Sequence, residues 1–242
     1  MALSVTQTAV LGPILKTGRR VASMGYPDII APMEMVEKVM GDEFPKLTYR
    51  PDSEAICKRH GIAKRDIPDA HSFFKAMGCA LDVYDIVKER GCEILCDLNH
   101  PIVSRGTYDI VLDVGTAEHC FNIGQAIVNM ADMVRKDGYI IHENPFNCGN
   151  HGFYNLNPTW YHDFYTTNGF DLLACALVDR HGASARVSYT KRFKFTEVEV
   201  NTFAMAQRKT IKTLAFPMQT KYAVQAAAEP GEGAANLRAI GA

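Results

Sequence analysis

The chain has no dense block of lysine and arginine and no long apolar run. Its 26 basic and 27 acidic residues give a formal net charge of -1, so it lacks the positive surface that binding to nucleic-acid phosphates usually needs. No stretch approaches the ~20 apolar residues of a membrane span, and no basic leader precedes the short apolar run near residue 10. The sequence therefore predicts a cytoplasmic protein without a membrane or nucleic-acid partner.

Disulfide and metal-ligand patterns are also missing. The seven cysteines are odd in number, scattered, and mostly inside apolar runs, which is typical of reduced core thiols. The pairs nearest to zinc-ligand spacing are Cys92 with Cys96 and Cys148 with His151, and neither is matched by a second pair. We therefore predict neither a disulfide framework nor a metal site.

The 242 residues, 47% of them hydrophobic, are enough for one sizeable core, and the sequence shows no internal repeat. Short apolar runs alternate with helical patterns, which predicts an α/β fold with a Rossmann-like, seven-stranded, mostly parallel sheet and helices on both faces. The predicted strands cover residues 20–24, 79–83, 93–98, 109–114, 139–143, 172–178 and 202–206.

Two helices are predicted with clear boundaries. In residues 118–135, apolar residues such as Ile123, Ile127 and Met130 recur at spacings of three and four, and Gly138 follows the end of the pattern. In residues 158–167, Asn157 can cap a helix whose first residue is proline. Residues 41–69 are expected to be irregular. The predicted organisation is an N-terminal arm (1–18), one domain (19–223) and a flexible C-terminal tail (224–242).

The predicted strand ends carry the chemistry. In an open parallel sheet, ligands bind beyond the carboxyl ends of the strands. Acids and amides occur at these ends, which read MGYPD (24–28), DVYD (82–85), DLN (97–99), DVGTAEH (113–119) and HENPFN (142–147). A cleft rimmed by such groups suits a ligand with hydroxyls, an amine or a positive centre, and it repels a polyphosphate.

The stretch YDIVLDVGTAEHCFNIGQAIVNMADMVRKDGYIIHENP (108–145) resembles the fourth strand, Glu-His turn, amphipathic helix and fifth strand of class I S-adenosylmethionine-dependent methyltransferases. The chain is also similar to small methyltransferase-like proteins that carry Asp-x-Gly-Thr-x-Glu-His and then His-Gly-Phe-Tyr, here residues 151–154. The resemblance covers roughly residues 20–178.

The resemblance implies the class I methyltransferase fold and S-adenosylmethionine as the cofactor. It implies that Asp82, in the second strand, binds the ribose hydroxyls and that residues 97–99, at the end of the third strand, lie beside the adenine. It also departs from the family, because the first turn offers one glycine where members with a full glycine-rich turn have two or three. Either Asp28 or another residue supplies the acid of that turn, or cofactor binding has been lost. The implied cofactor-binding residues are Met24, Gly25, Tyr26, Asp82, Val83, Asp97, Leu98, Asn99, Asp113 and Gly115.

Histidines are the candidates for taking a proton from the methyl acceptor, because their pKa lies near neutrality. His119 could do this, or it could pack over a strand edge beside Glu118 at a helix start. His151 lies in a loop rich in glycine and asparagine, where side chains are less often committed to packing. His142 could face substrate or be a hydrogen-bonded core residue.

Three further side chains have alternative roles. Asp113 could act in catalysis or face the cofactor's amine, or it could only accept N–H bonds from the Gly115-Thr116 turn. Glu118 and Tyr154 are candidates for contacting substrate, with the competing possibility that Glu118 only stabilises the helix start.

The leading hypothesis is a methyltransferase that methylates an oxygen or nitrogen of a small molecule. The alternative is a Rossmann-like binding or assembly module that keeps the fold and has lost methyl transfer. A nicotinamide-dependent oxidoreductase is disfavoured, because no G-x-G-x-x-G turn follows the first strand. A homodimer is compatible with the sequence, which does not fix the oligomeric state.

Overall fold

The computed structural model describes residues 2–103, 106–179, 181–189, 191–194 and 198–223. The predicted flexible tail, residues 224–242, lies outside these ranges. None of the helices in the described ranges combines the length and the apolar character that crossing a bilayer requires.

Ten strands, six α-helices and two 3-10 helices make up the described fold. The strands are β1 (Ala2–Leu3), β2 (Arg20–Met24), β3 (Asp28–Ile29), β4 (Ala80–Asp85), β5 (Ile94–Leu95), β6 (Tyr108–Asp113), β7 (Val134–Pro145), β8 (Phe170–Val178), β9 (Ser184–Arg186) and β10 (Asn201–Arg208). The helices are α1 (Val5–Leu11), α2 (Met33–Met40), α3 (Ser53–His60), α4 (Ala70–Ala76), α5 (Ile123–Met133) and α6 (Pro158–Thr167), and the 3-10 helices are Gly41–Lys46 and Ala117–His119.

Eight of the strands form one sheet in the order β5-β4-β2-β6-β7-β10-β8-β9, and β1 pairs with β3 in a separate two-stranded sheet. The large sheet is parallel from β5 to β7, whereas β10 runs antiparallel to both of its neighbours. The chain starts in the middle of this sheet with β2, builds outwards to β4 and β5, and then returns to β6 on the other side of β2. The reversal leaves a crevice at the carboxyl ends of β2 and β6, where doubly wound sheets bind ligands.

Two hydrophobic cores cover the two faces of the large sheet. Successive residues of a strand point to opposite faces. On β6, Ile110 and Leu112 pack in the core covered by α1, α2 and α4, whereas Val111 packs in the core covered by α5 and α6. The predicted fold class, a Rossmann-like and mostly parallel sheet with helices on both faces, is thereby confirmed, with eight strands in the sheet where seven were predicted.

The boundaries of several elements differ from the prediction. The helix predicted over residues 118–135 is split: the 3-10 turn Ala117–His119 ends at Cys120, and α5 begins after Asn122, whose side chain caps it. Residues 158–167 form α6 as predicted, with Asn157 accepting the N–H of Thr159. The strand predicted over 93–98 is reduced to the two residues of β5.

The segments predicted to be an arm and an irregular stretch contain regular structure. Residues 2–11 form β1 and α1, and Leu3 and Leu11 are fully or almost fully buried in the core of one sheet face. Residues 41–69 hold a 3-10 helix and α3, and the neighbouring helices α2 and α4 are additional to the prediction. Each of these helices has eight residues or fewer, so its stability comes from packing on the rest of the fold and not from helix propensity.

Glu143 predicts how stability depends on pH. Its buried carboxylate lies on β7, where Asn201 and Ser4 donate hydrogen bonds to it at 3.0 and 3.1 Å. Burial raises the pKa of Glu143 above its ordinary value, more than those bonds lower it. A raised pKa in the folded state gives stability that is complete below the unfolded pKa, about 4.3, and is lost as pH rises through the folded pKa.

We therefore expect Glu143→Gln to be more stable than the parent protein at pH 8, by about 2 to 4 °C in Tm if the difference is about 1 kcal/mol, and the gain to shrink at pH 5. Thermal unfolding at both pH values measures this. Glu54→Gln, whose parent side chain is exposed, serves as the control and should change Tm at neither pH. An equal gain at pH 5 and pH 8 would contradict the assignment.

Candidate functional site

A cleft lies at the carboxyl ends of β2, β4 and β6, at the reversal point of the sheet. Its volume is about 340 Å³, within the range of small-molecule sites. A larger cavity of about 590 Å³, beside Arg135 and Arg208, lies at the opposite, amino ends of the parallel strands. We take the first as the candidate site, because parallel sheets bind ligands at their carboxyl ends.

The first turn contributes Gly25 to the cleft but not its neighbours. Gly25 has φ of 80°, a conformation that favours glycine, and its N–H donates to the carbonyl of Tyr84 at 2.6 Å. Met24 is fully buried in the core covered by α5 and α6, and its carbonyl accepts the hydroxyl of Thr116. Of the predicted residues Met24, Gly25 and Tyr26, the structure brings only Gly25 to the cleft.

Tyr26 and Asp28 turn away from the cleft. The Tyr26 hydroxyl donates to Asp69, and burial raises its pKa well above the ordinary range. Asp28 is buried, and its Oδ2 hydrogen-bonds with His60 Nε2 at 3.0 Å. Asp28 therefore does not supply the acid of the first turn, which leaves the other two possibilities given by the sequence: another residue supplies it, or cofactor binding has been lost.

The acid at the end of the second strand is Asp85 and not Asp82. Asp82 lies in the middle of β4, where it pairs with the Arg20 guanidinium at 2.9 Å and accepts the Tyr108 hydroxyl at 2.8 Å. Val83 is buried in the core. The strand continues two residues beyond the predicted end, so its carboxyl end, and the acid that lines the cleft, is Asp85. Asp82 and Val83 were predicted to bind the cofactor, but neither lines the cleft, because β4 is longer than predicted.

The residues after β5 lie where they were expected. Asp97, Leu98 and Asn99 all line the cleft. Asp97 Oδ1 accepts the backbone N–H of Asn99 at 2.9 Å and its side-chain amide at 2.7 Å, and these bonds lower the pKa of Asp97. Asn99 Oδ1 in turn accepts the N–H of Asn122, so this loop is tied to the start of α5.

Asp113 lies behind the cleft, fully buried, at the end of β6. Its Oδ1 accepts the N–H groups of Thr116 and Ala117 at 3.1 and 3.0 Å, and its Oδ2 accepts His142 Nδ1 at 2.7 Å and Asn144 Nδ2 at 3.1 Å. The structure agrees with the alternative that Asp113 holds the Gly115-Thr116 turn. Gly115 and Thr116 themselves line the cleft.

His142 is a core residue within this buried network. Its Nδ1 hydrogen-bonds with Asp113 Oδ2, and its Nε2 hydrogen-bonds with the hydroxyl of Tyr165 at 2.5 Å. The Tyr161 hydroxyl donates to Asn144 Oδ1, and burial raises the pKa of both tyrosines well above the ordinary value. His142 does not line the cleft, so its predicted contact with substrate is replaced by the hydrogen-bonded core role.

Glu118, His119 and His151 come together at the rim of the cleft. His119 lines the cleft, and its ring centroid lies 5.3 Å from that of His151. Glu118 is fully buried beneath them, and burial together with the negative charge of Asp113 raises its pKa to about 7. Burial and the neighbouring His151 lower the pKa of His119. The structure therefore brings together His119 and His151, which were predicted to be catalytic, and Glu118, which was predicted to contact substrate.

Tyr154 lies beyond this cluster and outside the cleft lining. Its hydroxyl donates to the carbonyl of Phe121 at 2.8 Å, and its ring packs against the core covered by α5 and α6. The predicted substrate contact of Tyr154 is replaced by this packing role.

Sequence reasoning missed Asp85 and the thiols of Cys96 and Cys120 as cleft residues. Burial raises the pKa of Cys96 to about 11 and that of Cys120 to about 12, so neither thiol is ionised at neutral pH. The alternation of apolar and polar residues in ALDVYD (80–85) continues to Asp85, and this pattern indicates that the strand ends at Asp85.

No protein-family model matches the chain, and no curated protein matches its sequence. Among solved structures, it is similar to a 1,6-didemethyltoxoflavin-N1-methyltransferase of Burkholderia thailandensis, solved with 1,6-didemethyltoxoflavin and S-adenosylhomocysteine (13% identity, TM-score 0.48, covering 84% of this chain and 76% of that one). It is also similar to an S-adenosylmethionine-dependent methyltransferase of Archaeoglobus fulgidus (13% identity, TM-score 0.47, 84% and 92%) and to the cyclase SpnF (8% identity, TM-score 0.40, 84% and 80%).

Proposed function

We propose that this chain is a class I S-adenosylmethionine-dependent methyltransferase that methylates an oxygen or nitrogen of a small molecule. The observation that carries the proposal is the cleft at the reversal point of the sheet, which brings Gly25, Asp85 and Asp97 to one place. A cleft with carboxylates at its wall suits a ligand with hydroxyls and a positive sulfonium centre. The seven free cysteines support the cytoplasm as its place of action.

The cleft residues fit the proposed cofactor. The Asp85 carboxylate would accept hydrogen bonds from the ribose hydroxyls. Asp97, Leu98 and Asn99 would flank the adenine, beside the exposed side chain of Ile86 on the same cleft wall. Gly25 leaves the floor of the cleft without a side chain at the point where the methionine part would approach the backbone.

The cofactor, when bound, supplies a methyl group on a positively charged sulfur. The protein's task is then to hold the acceptor atom in line with that carbon and to provide a route for its proton. His119 is the candidate for the proton, because its half-exposed ring lines the cleft, and His151 lies beside it. No other described histidine lines this cleft.

Isothermal titration with S-adenosylmethionine and S-adenosylhomocysteine tests the proposal. We expect saturable binding, which Asp85→Ala weakens at least tenfold, equivalent to about 1.4 kcal/mol. Asp82→Ala is the matched control, since it removes an acid of the same strand that pairs with Arg20 outside the cleft. It should change the Kd less than twofold.

Two outcomes would count against the proposal. Absence of saturation up to millimolar concentrations of both compounds would favour the alternative, a binding or assembly module with the same fold. A Kd that depends on Asp82 and not on Asp85 would show that the nucleoside lies elsewhere.

A further inference from the structure

Three side chains with metal-binding atoms meet at the rim of the cleft. Glu118 Oε1 lies 3.8 Å from His119 Nε2 and 3.5 Å from His151 Nε2, and the three atoms all lie within 4.8 Å of one another. Glu118 and His119 belong to the 3-10 turn after β6, whereas His151 comes from the loop after β7. We call these three residues the Glu-His-His cluster.

One carboxyl oxygen of the cluster has no hydrogen-bond partner among the described residues. Glu118 is fully buried, and among the described residues its Oε1 has no hydrogen-bond partner. Leaving a buried carboxyl oxygen without a hydrogen bond is costly, so such an atom in a native structure points to a missing ligand. The other oxygen, Oε2, accepts Asn144 Nδ2 at 2.9 Å, and this bond turns Oε1 towards the two imidazoles.

Close packing of the backbone holds His151 in the cluster. The N–H of Phe153 donates to the carbonyl of Glu118 at 2.8 Å. A side chain at Gly152 would meet that same carbonyl oxygen at 2.8 Å and Glu118 Cγ at 2.9 Å, so only glycine allows this approach. The His151 loop is therefore fixed on Glu118 itself.

We infer that the Glu-His-His cluster binds a divalent transition-metal ion of the zinc class, with open coordination positions facing the cleft. Two imidazole nitrogens and one carboxylate are a known ligand set for catalytic zinc. Ligands at about 2.0 to 2.1 Å from a tetrahedral ion are about 3.3 Å apart. The two distances from Glu118 Oε1, 3.5 and 3.8 Å, are close to this value, and the ligand atoms of the two histidines lie within 4.8 Å of each other, so side-chain rotation of the half-exposed histidines has to bring them closer. The bond from Asn144 to Oε2 supplies the outer hydrogen bond that ligating carboxylates usually have.

The open positions identify the class of acceptor. About half of each histidine side chain is exposed, so the side of the cluster away from Glu118 is accessible. An ion there would bind an oxygen donor, such as a hydroxyl, and lower its pKa.

The role of the ion towards the acceptor rests on the proposed methyl transfer. The acceptor O–H loses its proton to water, and the oxygen forms a bond to the methyl carbon. The carbon–sulfur bond breaks, and its electron pair stays on sulfur as the thioether. With the ion bound, both Nε2 lone pairs are used as ligands, so His119 would not also take the proton.

Metal binding is testable without an acceptor. We would treat the purified full chain with a chelator, remove the chelator, and titrate with ZnCl2 by calorimetry and with CoCl2 by visible absorption. We expect one Zn²⁺ per chain with a Kd in the micromolar range or below, and cobalt absorption bands typical of nitrogen and oxygen ligands. Glu118→Gln and His151→Ala should each weaken Zn²⁺ binding at least a hundredfold.

His100→Ala is the matched control, because it removes an exposed histidine that does not belong to the cluster, and it should leave Zn²⁺ binding unchanged. Thermal unfolding of each variant without metal shows whether it is folded. Zn²⁺ binding that is absent in the parent protein, or unchanged in both folded Glu118→Gln and His151→Ala, would overturn the inference.

The same proteins distinguish this inference from the proposed function. If Zn²⁺ binds as expected and S-adenosylhomocysteine does not, the metal site stands and methyl transfer falls. If S-adenosylhomocysteine binds and Zn²⁺ does not, the metal site falls and His119 remains the candidate proton acceptor.

Discussion

Replacing Asp113 by alanine is expected to lower the free energy of unfolding by about 3 to 5 kcal/mol, the usual result of removing one partner from a buried charged network. Four donors lose their acceptor at once: the N–H groups of Thr116 and Ala117, and the side chains of His142 and Asn144. None of the side chains of Asp113, His142 and Asn144 is accessible to water that could replace the lost bonds. Urea denaturation of the parent protein and the variant measures the difference.

Asp113→Asn separates the two functions of this carboxylate. One amide oxygen can still accept the two backbone N–H groups of the turn, but the amide nitrogen cannot accept from His142 or from Asn144. We expect a loss of about 1 to 3 kcal/mol, the cost of a buried donor without a partner. Asp171→Ala removes an acid of an exposed ion pair and should change the free energy of unfolding by less than about 1 kcal/mol. A loss below 1 kcal/mol in Asp113→Ala would refute the role of Asp113 in stability.

The same network supports both parts of the candidate site. Asp113 holds the turn that gives Gly115 and Thr116 to the cleft, and through Asn144 it is connected to the carboxylate of Glu118. Asp113→Ala protein that remains folded should therefore bind both S-adenosylhomocysteine and Zn²⁺ more weakly. Binding of S-adenosylhomocysteine and binding of Zn²⁺ therefore each measure how far the Gly115-Thr116 turn keeps its structure.

The alternation and turn patterns of the sequence were enough to predict the sheet and its ligand-binding edge. The strand predicted over residues 20–24 and the helix over 158–167 have the same bounds in the structure. Local patterns fail where a partner distant in sequence decides the outcome. Asp82 and Asp85 are both acids near the end of one strand, and only the length of β4 and the pairing of Asp82 with Arg20 separate them.

The cluster of Glu118, His119 and His151 shows the same limit. Spacing along the chain predicts a metal site only when ligands lie in regular pairs, and His151 is more than thirty residues from the other two. The contact that brings it back is the approach of Gly152 to the Glu118 backbone, which no local pattern of the sequence reveals. Residues 2–11 were predicted to be an arm for a related reason, since β1 and α1 depend on pairing with β3 and on burial of Leu3 and Leu11.

Arg208→Ala is the second substitution expected to have a large effect, again about 3 to 5 kcal/mol in the free energy of unfolding. The guanidinium of Arg208 is 1% exposed at the end of β10, and its Nη1 donates to the carbonyls of Ala131 and Val134 at 3.0 and 2.8 Å. These carbonyls belong to the C-terminal end of α5 and the residue after it, where the last helical carbonyls outnumber the backbone donors; that of Ala131 also accepts the N–H of Val134. Alanine would remove the buried side-chain donor from both carbonyls and would open a cavity against Phe170, whose ring centroid lies 5.5 Å from the guanidinium carbon.

Arg20→Ala provides the comparison, because Arg20 is also a strand arginine in an ion pair, but its side chain is about half exposed. Its loss should cost less than about 1 kcal/mol. A smaller loss in Arg208→Ala than in Arg20→Ala would contradict this account of α5. Asn122, which caps the start of α5, donates its N–H to Asn99 in the cleft wall. Because Arg208 fixes the other end of α5 to β10, it also restricts how far that wall can move. Arg208→Ala should therefore increase the amide hydrogen exchange of α5 and of residues 97–99, at the opposite end of the helix from the substitution.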